Sequence, residues 1–316
     1  MSEHDPGPAH TTNRLYDLEK AAAATPQDRH LWKAALDELR EGRASDVDVG
    51  ASAAIAGAGP LAVAVVTPYH REDLEVLQRC HESVLAQTYP CRHIMVADGA
   101  PRDEIDAWQV DHVRMPVPCA DYGDTPRAAG GDYARALGCG AIAYLDADNS
   151  FRPRHVESLV GTHAITGASV VFSGRTWHLP DGRMLPVIDP EDGRSHVDTS
   201  CLFLAGDLAT LAAVWILYPR PLALIDDRIV IRILRARGLR FACTGALTTR
   251  YTARFAWMYR ALDLPVPDGA RADFDVTPAA AYLRTLSDAQ WRELGATLGT
   301  KVVTFLRNLM EHYSGG

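Results

Sequence analysis

Short apolar runs alternate with helix-spaced segments through the middle of this chain, and that alternation limits the fold more than any other feature. Leu61–Val66 is a continuous apolar run of strand type. Glu72–Gln87 then carries Leu74, Leu77, Val84 and Leu85 at helical spacing. His93–Ala97 reads as a second strand, Tyr133–Gly138 as the end of a helix and 141–145 as a third strand. Val156–His163 is again helical and Ala168–Phe172 again strand. Strands alternating with helices predict a parallel, doubly wound sheet. Near-continuous apolar strands suit a sheet covered on both faces.

The 316 residues suffice for one large domain with appendages or for two small domains. Residues 1–12 read as disordered and 13–43 as two helices, the second starting at Thr25-Pro26. Residues 44–60, rich in Gly, Ala and Ser, read as a linker. The expected organisation is a helical arm and linker over 1–58, an α/β core over 59–250 and a helical extension over 251–316. In that extension Thr277-Pro278 starts one helix, and Ser287 with Gln290 forms a capping box for the next. Trp291, Leu294, Leu298, Val302, Leu306, Leu309 and Tyr313 trace one apolar stripe. The stripe suits packing on the chain's own core; a homo-oligomer through these helices or a membrane-surface helix are the alternatives.

A net charge of -8 argues against bulk nucleic-acid binding, which needs a basic footprint. The six cysteines form no CxxC pair, so buried free thiols in a reducing compartment are expected rather than a zinc or redox motif. Met1 to His10 is polar and acidic, unlike a signal peptide, and a cytoplasmic location is expected. The most apolar stretch, Leu208–Leu217, is too short to span a bilayer.

In an open α/β sheet, ligands bind at the carboxyl ends of strands. Thr67, Pro68 and Tyr69 follow the first strand, Asp98 and Gly99 the second, and Asp146, Ala147 and Asp148 the third. Paired acids are poor core material, since burying unpaired charge is costly. They are good ligands for a hard divalent ion, which could grip a diphosphate as a leaving group. Tyr69 is placed to stack on a flat base and Asp98 to accept from a base N–H.

These motifs, in this order, resemble the GT-A fold glycosyltransferases of family 2, over about residues 61–243. Val65 to Arg71 looks like their opening strand and nucleotide loop. Ser83-Val84-Leu85-Ala86-Gln87-Thr88-Tyr89 resembles the end of their next helix. Val96-Ala97-Asp98-Gly99-Ala100 resembles a strand end that usually reads Val-Asp-Asp-Gly-Ser; with Ala97 in place of the first acid, only Asp98 inherits the base-binding role. Asp146-Ala147-Asp148 resembles the family's DxD motif. The resemblance implies a doubly wound mixed sheet and Asp148 as principal ligand of Mn²⁺ or Mg²⁺. It also implies Asp146 supporting ribose or metal, and Ala147 against the nucleotide sugar. Arg127, in a segment near the nucleotide in family members, suits diphosphate oxygens.

Family enzymes place the catalytic base in an acidic pair at a helix start, which Ile225-Asp226-Asp227-Arg228 resembles. Counting back from Gly238 selects Asp227, slightly preferred, and counting from Arg232 selects Asp226. The segment His196 to Cys201 resembles an acceptor-side wall, with Asp198 positioning a sugar hydroxyl and His196 a hydrogen-bonded structural histidine. Many related enzymes add a metal-binding histidine near the end of the core, but residues 243 to 311 contain none. The resemblance therefore implies an inverting, metal-assisted transfer from a nucleoside-diphosphate sugar to an acceptor hydroxyl. The rivals are a nucleotidyltransferase, disfavoured because Thr67-Pro68-Tyr69-His70 lacks a Gly-rich phosphate loop, and a degenerate GT-A domain acting as a scaffold. A processive synthase is disfavoured by the lack of spanning helices and of Gln-x-x-Arg-Trp.

Overall fold

The computed structural model describes residues 60–189 and 191–313. The arm and linker expected over 1–58 lie outside the described residues. β1 (Val63–Tyr69), β2 (Cys91–Asp98), β3 (Asp111–Met115) and β4 (Ala141–Tyr144) pair in parallel, in the order β3-β2-β1-β4. α1 (Leu74–Leu85) links β1 to β2, and α2 (Asp124–Ala136) links β3 to β4. The Val63–Val66 and Ile94–Ala97 side chains are almost wholly buried, as strands covered on both faces must be. Leu85, expected on the helical face of α1, instead points outward at 53% exposure.

Beyond β4 the sheet turns mixed, as the family resemblance implies, where the alternation of strands and helices by itself predicts parallel pairing throughout. β8 (Leu202–Ala205) enters antiparallel to β4, and β6 (Val170–His178) pairs antiparallel with β8. β9 (Phe241–Thr252) runs parallel to β6 and carries the short β5 (Ser150–Phe151) on its far edge. β7 (Met184–Asp189) folds back on β6 as a hairpin. The result is a mixed α/β fold with a doubly wound parallel half. α3 (His155–Thr166) and α5 (Asp226–Ala236) supply further cover.

Register sets the site. Val66 lies opposite Tyr144 and Tyr69 opposite Ala97, so the residues after β1, β2 and β4 emerge along one sheet edge. α2 reaches that edge because it lies almost on the sheet: a Cβ on Gly130 would stand 2.5 Å from Val66 Cγ1.

The apolar run at 208–217 folds into α4 (Leu208–Ala212) and a 3₁₀ turn over Ala213–Ile216, with Trp215 fully buried. Among the described residues no single helix is long and apolar enough to cross a membrane. After the short α6 (Ala256–Arg260), α7 begins at Thr277 (Thr277–Arg284), and the Ser287–Gln290 capping box is present at the start of α8 (Asp288–Leu298). The apolar stripe is not one helix. Gly299, at φ +95°, breaks it into α8 and α9 (Thr300–His312). Both halves bury their stripe in the same core as α5, with Leu298, Val302, Leu306 and Leu309 all under 3% exposed.

Candidate active site

β4 runs out through Leu145 into the acid turn. The Asp146 amide donates to Ser200 Oγ (3.1 Å), and Asn149 Nδ2 donates to the same oxygen (2.9 Å). The end of β9 closes on this turn: the Thr252 amide donates to Asn149 Oδ1 (2.9 Å) and its hydroxyl to the Asp148 carbonyl (2.5 Å). Asp146 and Asp148 therefore sit on a turn fixed from two sides.

Each acid holds a guanidinium. Arg127 NH2 donates to Asp146 Oδ1 at 2.8 Å, and its NH1 lies 3.1 Å from Asp226 Oδ2 and 3.5 Å from Asp124 Oδ1. Arg127 is 5% exposed, with its guanidinium 4.9 Å from the Trp215 ring centroid. It belongs to the first turn of α2 and is a buried hub rather than an exposed arginine on a surface turn. Asp148 Oδ2 faces Arg254 Nε at 3.2 Å and Arg271 NH2 at 3.8 Å. Burial raises the Asp148 carboxyl above the ordinary range, and Asp146 adds to this while both arginines oppose it.

On the opposite wall Asp226 and Asp227 occupy the first turn of α5, where a helix N-terminus favours carboxylates. Burial raises Asp226, against the pull of Arg127 and with the push of Asp227. Burial likewise raises its neighbour Asp124, with Asp226 adding to it. Asp227 differs, because His196 Nε2 lies 2.6 Å from its Oδ2. Burial would raise this acid, but the imidazolium outweighs it and holds Asp227 well below the ordinary range. Burial would lower His196, but Glu191 and Asp227 together push it up to about 9. His196 Nδ1 is 2.9 Å from Glu191 Oε2, and Glu191 Oε1 is 3.2 Å from Arg175 Nε. Arg175 also pairs with Asp198, which caps the 3₁₀ turn over Thr199–Cys201 by accepting from the Ser200 amide (3.0 Å). An unbroken charged chain thus runs from Asp227 through His196, Glu191 and Arg175 to Asp198.

One cavity of about 610 Å³ joins these walls. Its lining includes Pro68, Tyr69, Asp98, Arg127, Asp146, Ala147, Asp148, His196, Asp198, Asp226 and Asp227, so all but one of the residues singled out in the sequence converge. The exception is Thr67. It is fully buried, with Oγ1 2.9 Å from His93 Nε2, and is out of reach of the cavity. It lies two residues inside the end of β1, which runs on to Tyr69, and its side chain is spent on His93 in the interior. Tyr69 borders the cavity but is 2% exposed, and its hydroxyl is 2.7 Å from His112 Nε2. It forms wall rather than a free stacking face. Asp98 Oδ1 accepts from the Cys119 amide (2.7 Å).

Residues that the sequence alone does not single out are Arg175, Arg271 and an aromatic wall of Trp177, Tyr251, Phe255, Trp257 and Phe274 on the cavity, and Glu191 and Arg254 behind it. Arg254 carries a sequence signal, since it closely follows the strand that closes the core. Arg175, Trp177 and Tyr251 are brought together by the pairing of β6 with β9, Phe255 and Arg271 by their own bridge, and Glu191 joins through its contacts with Arg175 and His196.

The sequence implies Mn²⁺ or Mg²⁺ at Asp146 and Asp148. A hard divalent ion takes six or more oxygen ligands, or keeps several waters and is held by one or two carboxylates together with the phosphates of a bound substrate. Here both carboxylates are engaged by arginines. Among the described residues no group of three or more His, Cys, Asp or Glu side chains is arranged to hold an ion. The donor set does not build a metal centre from protein alone, and an ion shared with a diphosphate would have to take Asp148 from Arg254 and Arg271.

The six cysteines are free; Cys80, Cys139 and Cys201 are buried, Cys91 and Cys119 half-buried and Cys243 exposed.

No curated protein matches the sequence. Among solved structures, the chain is similar to S. aureus TarS 1-349 in complex with UDP, at 11% identity and TM-score 0.49, covering 80% of this chain and 89% of that one. It is also similar to GalNAc-T7 with UDP, GalNAc and Mn²⁺, at 14% identity and TM-score 0.48, covering 80% of this chain and 55% of that one. The family model described as glycosyl transferase family 2 matches residues 64–186. That match runs from β1 into β7 and includes Asp98, Arg127, Asp146 and Asp148, while Asp226, Asp227, Arg254 and Arg271 lie beyond it. The stretch from Ala64 to Pro186, which builds the parallel half of the sheet and its acid turn, is thus the part of the chain that matches glycosyl transferase family 2.

Proposed function

We propose that this chain is an inverting glycosyltransferase that moves a sugar from a nucleoside-diphosphate donor to an acceptor hydroxyl. The observation that carries the reading is the single cavity joining the strand-end acids to the acidic pair of α5. The nucleoside lies along Pro68, Tyr69 and Asp98, and the diphosphate beside the Asp146–Asp148 turn. The acceptor enters between Asp198 and the aromatic wall. Its oxygen bonds to the anomeric carbon as the bond from that carbon to the diphosphate oxygen breaks. The leaving electron pair stays with the diphosphate and the acceptor proton passes to a carboxylate, in one displacement through an oxocarbenium-like state.

Asp227 is the base on grounds of access: its side chain is 23% exposed against 14% for Asp226, although each carboxylate has a cationic partner, His196 for Asp227 and Arg127 for Asp226. Geometry ranks before proton affinity in choosing a base. His196 beneath Asp227 fixes its orientation. No step is routed through a metal ion, because both turn acids are engaged by guanidinium groups.

The test is a panel of UDP-, GDP- and dTDP-sugars, scoring release of the nucleoside diphosphate and the anomeric configuration of the product by NMR. Retained configuration would exclude the single displacement. Pyrophosphate release from a nucleoside triphosphate, with no sugar transfer, would favour the nucleotidyltransferase.

A further inference from the structure

We infer that Arg254 and Arg271 do the work expected of a divalent ion: they neutralise the donor's diphosphate at Asp148, so that donor binding is independent of metal. The inference rests on the glycosyl-transfer reading and deepens it.

The two arginines are built into one device. Arg254 stands just past β9, whose Thr252 is stapled to the acid turn through Asn149 and the Asp148 carbonyl. Arg271 is far along the chain, but its amide donates to the Arg254 carbonyl (2.7 Å), and its own carbonyl accepts from the Ala256 amide (2.9 Å). The pairing of Phe255 with Arg271 thus sets both guanidinium groups on the same carboxylate oxygen. Two positive side chains face that oxygen, Arg254 Nε at 3.2 Å and Arg271 NH2 at 3.8 Å. The arginines also differ in access. The Arg254 side chain is 26% exposed and braces Asp148, whereas Arg271 is 49% exposed and lines the cavity.

A guanidinium matches phosphate oxygens with a planar fork and stays charged at every relevant pH. A divalent ion seated on Asp148 would instead have to displace or repel two guanidiniums at under 4 Å from its ligand atom. Asp148 therefore acts as the post that holds the arginines, and Arg271 is the arm that reaches the diphosphate.

The experiment is isothermal titration of the full chain with UDP, GDP and dTDP, in excess EDTA and in excess Mn²⁺. Arg271→Gln and Arg271→Lys are run beside the parent, each with a thermal melt as folding control. One diphosphate is expected to bind with the same affinity, within about twofold, in both conditions. Arg271→Gln should weaken it by roughly 10-fold or more, the usual loss for a contact to a charged group, without rescue by Mn²⁺. Arg271→Lys should recover part of the loss, because charge returns without the fork. Binding that appears only with Mn²⁺ would overturn the inference and leave the glycosyl-transfer reading intact, as would parental affinity in a folded Arg271→Gln. No binding of any diphosphate in either condition would overturn both.

Discussion

His196 and Asp227 show how a buried pair keeps charges that burial opposes. The imidazole lies between Asp227 and Glu191, 2.6 and 2.9 Å away, and both carboxylates favour its proton. Its pKa accordingly rises from 6.5 to about 9. A raised histidine contributes stability that is complete below its unfolded value and is lost as pH climbs through the folded one. The rise corresponds to roughly 3 kcal/mol. Thermal melts should therefore fall between pH 6.5 and about 9, and His196→Gln should flatten that slope. An unchanged slope in the variant would assign the pH dependence elsewhere. A second prediction concerns the carboxylate itself. Asp227→Asn should cut transfer by roughly 10²- to 10⁴-fold, the usual range for a positioned base, while leaving diphosphate affinity near the parent value. Loss of that affinity in the variant would make Asp227 part of the donor site instead.

At the scale of elements, α2 is the part that brings a buried arginine to the strand ends. Its close approach depends on Gly130, where a methyl group would meet Val66 Cγ1 at 2.5 Å and Val96 Cγ2 at 2.9 Å. Gly130→Ala sets two effects against each other. Alanine gains about 1 kcal/mol in helix propensity. Overpacking a full core costs about 1–3 kcal/mol, and these contacts are with rigid strand residues rather than flexible tips. A lower melting temperature is expected, together with weaker activity as α2 lifts Arg127 away from Asp146 and Asp226. A melting temperature above the parent's would mean that propensity wins. The same elements show what the sequence made legible. β1, β2 and β4 are continuous apolar runs whose ends carry polar residues, so strand and site could be read together. β8 was not legible, because Leu202–Ala205 is short and nothing local says that it enters antiparallel beside β4. Arg254 and Arg271 meet only through the Phe255–Arg271 bridge, and a contact made by pairing distant segments leaves no periodic trace. Glu191 escaped notice for a similar reason: its partners, Arg175 on β6 and His196 in the loop before β8, come from different elements.

Across the whole molecule, the helices after residue 276 share one hydrophobic core with the sheet. A single cluster runs from Ala64 and Val66 on β1 through Ile229 and Ile233 on α5 to Leu306 and Leu309 on α9. The contact also reaches the charged wall. Phe305 on α9 lies 3.7 Å beneath the Arg232 guanidinium, and Arg232 NH1 donates to the Ser195 carbonyl (2.7 Å), one residue before His196. A C-terminal unit that folds apart from the sheet would give two calorimetric transitions. A shared core should give one over the described residues, since neither part can bury its apolar face without the other. Leu306 is fully buried and is the place to test this. Leu306→Ala should cost about 2–5 kcal/mol, the range for deleting a buried leucine side chain, and should move the single transition as a whole. If the variant splits the transition, with a low-temperature step that leaves diphosphate binding intact, the helices are an appendage. If sheet and helices melt together and binding is lost in step, the helices are part of what holds α5, and with it Asp227, against the cavity.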